Sequence, residues 1–185
     1  FYFTHISRVL RVMPERKIQS FLYGSAEQKR RLIGAAGTDI SKPWLWQLHI
    51  NLGNLERSLK HELVHVMAAD FGFPLLRISF NSGLIEGLAV AVEQVEYDET
   101  IHRLAGQINA IGHAPDIRSL FTVSGFFKAH GGTSYILAGS FCRYLIEKYG
   151  VRRFKSLYRT GNFGTLYNKS LDDLIEEWRR SISHP

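Results

Sequence analysis

Cysteine is almost absent from this sequence, since Cys142 is the only one among 185 residues. The chain therefore cannot form an intramolecular disulfide, and a zinc cage built from cysteines is excluded. No apolar run is long enough to span a membrane. There is also no internal repeat and no low-complexity segment. The chain begins with Phe1 rather than Met and has no signal-peptide pattern, so we expect a domain excised from a longer protein.

Long runs of one charge are also missing. The formal net charge is +6, from 23 Lys and Arg against 17 Asp and Glu. The basic residues are spread over short groups near residues 8–17, 29–31 and 152–155, which favours solvated helix faces over a nucleic-acid-binding surface. We therefore expect no nucleic-acid partner. Hydrophobic residues make up 45% of the chain, enough to build the core of one domain.

A His-Glu-x-x-His pentapeptide at residues 61–65 is the most informative motif. It lies in a run from 55 to 71 that the apolar spacing predicts as one buried helix. Residues four apart share a helix face, so His61 and His65 can bind one metal ion, with Glu62 beside it. The alternative is an ordinary histidine pair on an amphipathic helix. Buried ionisable groups are costly unless paired or metal-bound, which favours the metal site.

Glu86 is the best candidate for a third ligand. It lies on the next predicted helix, over 84–95, which is apolar nearly all round, so its carboxylate needs a partner. Gly87 and Ala89 are small and predict a close approach to the preceding helix. The alternative is an exposed glutamate that favours the helix dipole. Three histidines are further candidates for the ligand: His102, His113 and His130.

The remaining pattern predicts an α+β fold that is mainly α-helical, with a small N-terminal sheet and a helical C-terminal part. Strands are expected over 17–23 and 44–52. Residues 34–43 are expected as a loop that can move as a lid, and 112–132 as a long connection with a short helix inside it. Helices are expected over 1–12, 26–33, 55–71, 84–95, 98–111, 133–149, 151–158 and 171–183.

His61-Glu62-x-x-His65, followed by Glu86-Gly87-x-Ala89, resembles the gluzincin metallopeptidases of the peptidase MA family, which is related to the thermolysin-like and zinc-aminopeptidase lineages. The segments 135–150 and 170–178 are similar to later helices of that family, so the resemblance covers about residues 17–182. It implies one zincin-like catalytic domain over 1–185. A small mixed lobe would occupy 1–55 and the helical part with the metal site 56–185.

The resemblance also implies a role for each matched residue. His61, His65 and Glu86 would bind Zn²⁺, and Glu62 would be the general base. Tyr135 matches a tyrosine that donates a hydrogen bond to the oxyanion, although a core or boundary aromatic is the alternative reading. Ligand histidines are usually held through their second nitrogen. The family carries an aspartate for this purpose where this chain has Val90. Substitutes for that aspartate are open: Asn51, Asp70 or a backbone carbonyl.

The expected function is therefore a zinc-dependent peptidase acting on a peptide or protein substrate. The segment Gly-x-Met-Glu-Asn of the aminopeptidases is absent, so aminopeptidase activity is not expected. The strand over 44–52 would be an edge strand that pairs with an extended peptide, with Trp44 and Trp46 as platform or as ordinary core and surface aromatics. Two alternatives are a catalytically inactive zinc-binding interaction domain of a larger envelope or membrane-associated protein, and a basic helical nucleic-acid binder.

The compartment and the oligomeric state stay open at this stage. The family resemblance leans towards a bacterial periplasmic or membrane-associated location. Membrane contact is expected only through regions outside this sequence.

Overall fold

A computed structural model describes residues 1–93, 98–112, 114–122, 125–128 and 131–183. It is 67% helical with a small three-stranded sheet, which confirms the predicted α+β, mainly helical class. The chain divides into two compact units, residues 1–78 and 79–185. None of the described helices combines the length and the apolar character needed to cross a membrane. Whether 1–185 works as a single catalytic domain stays a prediction.

The first unit contains the sheet and the helix of the pentapeptide. Short 3₁₀ turns cover Pro43–Leu45, Leu52–Asn54 and Ala69–Phe71. The regular elements are α1 (Tyr2–Leu10), β1 (Gln19–Tyr23), α2 (Ala26–Ile33), β2 (Ile40–Lys42), β3 (Gln47–Asn51) and α3 (Leu55–Met67).

Strand β3 is the central strand of the sheet. It runs parallel to β1, with Gln19 opposite Gln47, and antiparallel to β2, with Ile40 opposite His49. The expectation of an edge strand at this place is therefore wrong. The physical reason is that the segment expected as a loop over 34–43 contributes β2, which covers the second side of β3.

The backbone of Trp46 lies directly before the start of β3. Trp46 has a left-handed backbone (φ 58°) after the 3₁₀ turn, so the extended conformation starts only at Gln47. Its ring is 4% exposed and lies 5.1 Å from the guanidinium carbon of Arg77. Trp44 is 47% exposed. Trp46 is thus a core residue and Trp44 a surface residue.

A buried ion pair fixes the segment between α2 and β2. The Lys29 side chain is 0% exposed and its Nζ lies 3.1 Å from Asp39 Oδ1, while it also donates to the Thr38 carbonyl at 2.7 Å. The same Asp39 oxygen accepts the Asn51 N–H at 2.8 Å, and Asn51 Nδ2 donates to the Ala36 carbonyl at 2.9 Å. The predicted lid motion would have to break these bonds.

Helix α3 ends at Met67, four residues before the predicted end, and the chain continues as the 3₁₀ turn Ala69–Phe71. At the start of α2, the Ser25 hydroxyl accepts the Gln28 N–H at 3.1 Å and caps the helix. The Gln28 side chain in turn accepts the Gly24 N–H at 2.8 Å. Side chains on both sides therefore satisfy backbone donors at this helix end.

The regular elements described in the second unit are all helices. The long connection holds two short helices where one was expected, and α10 was not predicted. The elements are α4 (Ser82–Glu93), α5 (Asp98–Ala110), α6 (Ile117–Leu120), α7 (Gly125–Lys128), α8 (Gly131–Tyr149), α9 (Val151–Thr160), α10 (Phe163–Tyr167) and α11 (Leu171–Ile182).

Helices α4 and α8 pack closely at Gly87. A Cβ atom on Gly87 would lie 2.6 Å from Cys142 Sγ and 2.8 Å from the Ala138 carbonyl oxygen. Gly87 therefore permits the close approach of α8. The prediction that Gly87 allows a close approach to the helix of the pentapeptide is wrong. Cys142 is 0% exposed, and burial raises the pKa of its thiol well above the ordinary value.

One carboxylate holds the C-terminal helices together. Glu177 on α11 accepts hydrogen bonds from the Tyr149 hydroxyl at 2.6 Å and from Lys148 Nζ at 3.0 Å, and a further one from Lys169. Ser170 caps α11 through a full capping box with Asp173.

Candidate metal centre

The two histidines of the pentapeptide face each other on α3. Their ring centroids are 4.8 Å apart, and the planes are nearly perpendicular at 84°. His65 is buried, with 8% of its surface exposed, and His61 is half-buried. The neighbouring apolar residues Val64 and Val66 are fully buried and fix this stretch of helix in the core. The predicted spacing therefore places both imidazoles on one face.

Glu86 joins the two histidines. One ligand atom from each of His61, His65 and Glu86 lies within 4.8 Å of the other two. Zinc binds such atoms at about 2.0–2.2 Å, so two ligands of one tetrahedral ion stand roughly 3.4 Å apart. Two imidazoles and a carboxylate are a donor set that suits zinc and leaves a fourth position open.

The burial of Glu86 differs from the expectation. Glu86 is half-buried on the second turn of α4, while Leu84 and Leu88 around it are 0% and 1% exposed. The sequence predicted a buried carboxylate because the helix is apolar. The structure shows a carboxylate that keeps access to solvent, which lowers the desolvation cost of its charge.

Tyr158 is a buried residue that the charge of Glu86 influences, and the sequence did not single it out. It lies on α9 and is 2% exposed. Burial raises the pKa of its phenol most, and the charge of Glu86 raises it further, while a hydrogen bond from the Ser79 backbone opposes this. Seventy-two positions separate the two residues in the sequence, so helical spacing gave no signal for this electrostatic influence.

Glu62 follows His61 on α3 and is half-buried, as a residue beside the histidine face must be. Tyr135 lies on the second turn of α8 rather than at a helix start, because α8 begins at Gly131. Its ring packs edge-on against Phe126 at 4.9 Å and 82°. Both catalytic roles stay predictions.

His102, an alternative third ligand, is engaged elsewhere. Its Nδ1 lies 2.7 Å from the Ser140 hydroxyl, which also accepts the Trp178 indole N–H at 2.9 Å. Its Nε2 lies 3.4 Å from the Glu147 carboxylate. His102 thus links α5, α8 and α11. The other two alternatives, His113 and His130, lie outside the described residues.

The proposed orienting partners of the histidines have other contacts. Asn51 Nδ2 donates to the Ala36 carbonyl, and Asp70 accepts from the Arg77 guanidinium at 3.1 Å. Val90, which stands where the family has an aspartate, is 9% exposed. The group that holds the second nitrogen of each histidine stays a prediction.

Comparison with known proteins found no matching family model, no matching curated protein and no matching solved structure. The relation to the gluzincins is therefore a resemblance carried by the residues named above.

Proposed function

We propose that this chain is a zinc-dependent peptidase of the gluzincin type with a zincin-like catalytic domain. The observation that carries the proposal is the clustering of the donor atoms of His61, His65 and Glu86, with Glu62 next to the first ligand. Three protein ligands are typical of catalytic zinc, whereas structural zinc takes four. The cluster therefore supports a metal that acts on a substrate.

His61, His65 and Glu86 would hold a zinc ion, which would supply Lewis-acid polarisation of the scissile carbonyl and would lower the pKa of a water. Glu62 is the general base: its carboxylate takes a proton from the attacking water and then gives that proton to the leaving amine nitrogen. The phenol of Tyr135 is the proposed donor to the oxyanion that develops on the carbonyl oxygen.

The sheet offers a place for the peptide backbone. Strand β2 pairs with β3 on one side only, among the residues that the structure describes. An extended peptide can add to the other side of β2 by main-chain hydrogen bonds, which hold substrates without selecting their side chains. We therefore assign the pairing with the substrate backbone to β2 instead of β3, because β3 has a strand on each side.

The test combines metal analysis with peptide hydrolysis in three proteins. We expect about one zinc per chain in the wild type and in Glu62→Gln, because Glu62 is not a ligand. We expect little zinc in Glu86→Ala. The wild type should hydrolyse casein or a peptide library, and Glu62→Gln should lose at least about a hundredfold in rate, the usual contribution of a general base.

Glu93→Ala is the matched control, since it removes the same charge from the other end of α4. It should keep its zinc. Equal zinc content in Glu86→Ala and Glu93→Ala would contradict the ligand set. Zinc binding without hydrolysis of any peptide would favour the inactive interaction domain, and full activity of Glu62→Gln would refute the mechanism.

A further inference from the structure

Two short segments of the first unit expose large apolar side chains to solvent. In the 3₁₀ turn Pro43–Leu45, directly before Trp46 and β3, Trp44 and Leu45 are 47% and 50% exposed. After the 3₁₀ turn that follows α3, Leu75 and Leu76 are 78% and 41% exposed. Single exposed leucines are common on protein surfaces, whereas a group of them marks an interaction surface. The two pairs are therefore significant only if they adjoin.

Trp46 and Arg77 join the two segments. Trp46 follows Leu45 in the chain, and Arg77 follows Leu76. The guanidinium carbon of Arg77 lies 5.1 Å from the centroid of the Trp46 ring, and the same guanidinium pairs with Asp70 at 3.1 Å. The exposed residues beside this contact form one surface, which we call the apolar tip. It consists of Trp44, Leu45, Leu75 and Leu76.

Backbone hydrogen bonds hold the second segment in one conformation. The Phe73 N–H donates to the Ile78 carbonyl at 2.9 Å, and the Arg77 N–H donates to the Phe73 carbonyl at 2.7 Å. Gly72 is required before this loop, since a Cβ atom there would lie 2.3 Å from the carbonyl carbon of Arg77. The exposed leucines between residues 73 and 77 therefore stand on a preformed loop, which loses little conformational entropy when it binds a partner.

The unit that carries the apolar tip is also the basic one. Residues 1–78 contain 11 Lys and Arg against 6 Asp and Glu, so they hold five of the six net positive charges. Lys42 directly precedes the turn of Trp44 and Leu45. Lys17 is exposed just before β1, and the first residue of β1, Gln19, donates its N–H to the Trp46 carbonyl at 2.9 Å. Two lysines therefore flank the apolar tip.

We propose that the apolar tip docks onto an anionic lipid bilayer, with Trp44 and the three leucines in the interface and Lys17 and Lys42 against the headgroups. Tryptophan and leucine favour the membrane interface, and lysines gain from the negative surface potential. Lysine is depleted in protein–protein interfaces, so the flanking lysines favour lipid over a protein partner. This inference does not depend on the peptidase function. It differs from the sequence-based expectation that membrane contact lies outside this sequence.

Trp44 gives the test a native reporter, because the other two tryptophans, Trp46 and Trp178, are 4% and 0% exposed. The probes are vesicles of phosphatidylcholine alone and of phosphatidylcholine mixed with phosphatidylglycerol. We expect the chain to sediment with the anionic vesicles, with a blue shift of the tryptophan emission as Trp44 leaves water. Nitroxide-labelled lipid should quench that emission. Trp44→Phe should remove the shift.

Substitutions in the apolar tip should weaken binding to the anionic vesicles. Leu45→Ser should weaken it about three- to tenfold, since half of a leucine side chain no longer leaves water. Leu75→Ser should weaken it at least as much, because Leu75 is more exposed. Leu52→Ser is the matched control: Leu52 is also 50% exposed on a 3₁₀ turn, but at the other end of β3. Lys42→Gln should weaken binding about fivefold at low salt.

Circular dichroism checks that the variants are folded. Equal binding by Leu45→Ser, Leu75→Ser and Leu52→Ser would overturn the proposal. Binding without a shift of the tryptophan emission would also overturn it, because the chain would then adsorb through its dispersed charge. Binding to neither vesicle would overturn it and would leave the apolar tip to a protein partner or to another segment of a longer chain. Peptide hydrolysis in the same preparations tests the proposed function separately, since the apolar tip contains no residue of the metal centre.

Discussion

Replacing Lys29 by Met should destabilise the first unit strongly, because the change leaves a buried carboxylate without its cation. The Lys29 and Asp39 side chains are 0% and 4% exposed. Breaking such a pair costs about 3–5 kcal/mol. Asp39 keeps hydrogen bonds from the Asn51 N–H and from the side chains of Ser58 and Asn54, so we expect a value near 3 kcal/mol.

Urea unfolding followed by circular dichroism measures this loss. With an m value of about 2.5 kcal/mol per molar urea, the midpoint should fall by about 1.2 M. Arg30→Met is the control, since Arg30 is exposed on the same helix and should shift the midpoint little. The double variant Lys29→Met/Asp39→Leu should recover part of the loss, because no charge is left buried.

The pH dependence gives an independent check. Burial favours a raised pKa for Asp39, but hydrogen bonds from Asn51, Ser58 and Lys29 outweigh it, so the pKa is below its ordinary value. A lowered carboxyl pKa contributes stability above the ordinary value of about 4, and this is lost as the pH falls towards the folded pKa. Without Lys29 the folded pKa rises, so acid unfolding should begin at a higher pH. A urea midpoint of Lys29→Met equal to that of Arg30→Met, or acid unfolding of Lys29→Met at the same pH as the wild type, would refute this reasoning.

Two further substitutions test the packing of the second unit. Gly87→Ala should lower the free energy of unfolding by about 1–3 kcal/mol, because the new methyl group would lie 2.8 Å from the Ala138 carbonyl oxygen. Gly132→Ala is the control: its new methyl group would have no atom within 4 Å, so the variant should be neutral or stabilised. Thermal unfolding compares the two variants. Hydrogen bonds, of which the one from Lys169 has the largest effect, hold the pKa of Glu177 well below its ordinary value of about 4.3. The ionised carboxylate therefore stabilises the fold above about pH 4.3, and this stabilisation is lost on acidification. Glu177→Gln should therefore lower the free energy of unfolding at pH 7 by about 1–2 kcal/mol and weaken its dependence on pH in the acid range. An unchanged dependence of stability on pH would show that Glu177 does not hold α11.

Periodicity located most helices because their buried faces repeat every 3.6 residues. It also placed His61 and His65 on one face, and the apolar helix around Glu86 made that residue the preferred candidate for the third ligand. The placement of the two histidines was predictable because spacing within a helix is fixed by hydrogen bonds, whereas Glu86 lies on a different helix. Their metal and their chemistry stay predictions.

The predictions that were wrong concern features that depend on contacts between residues distant in the sequence. Strand β2 has three residues and no periodicity to detect. It directly follows Asp39, which pairs with the buried Lys29 10 positions away. The left-handed backbone of Trp46 is unfavourable for a bulky residue and is held by tertiary packing. Gly87 showed that a close approach exists but not which helix makes it. Such long-range contacts are not encoded in local propensity.

The lone thiol of Cys142 provides a native reporter of opening between α4 and α8. Its sulfur lies 3.8 Å from the Gly83 carbonyl and is sealed from solvent, so a thiol-specific reagent can reach it only when these helices separate. The rate of its modification in the native protein then gives the free energy of that separation without any introduced label. Since Glu86 lies on α4, a cation that binds it and requires the closed form should slow the modification in proportion to its occupancy.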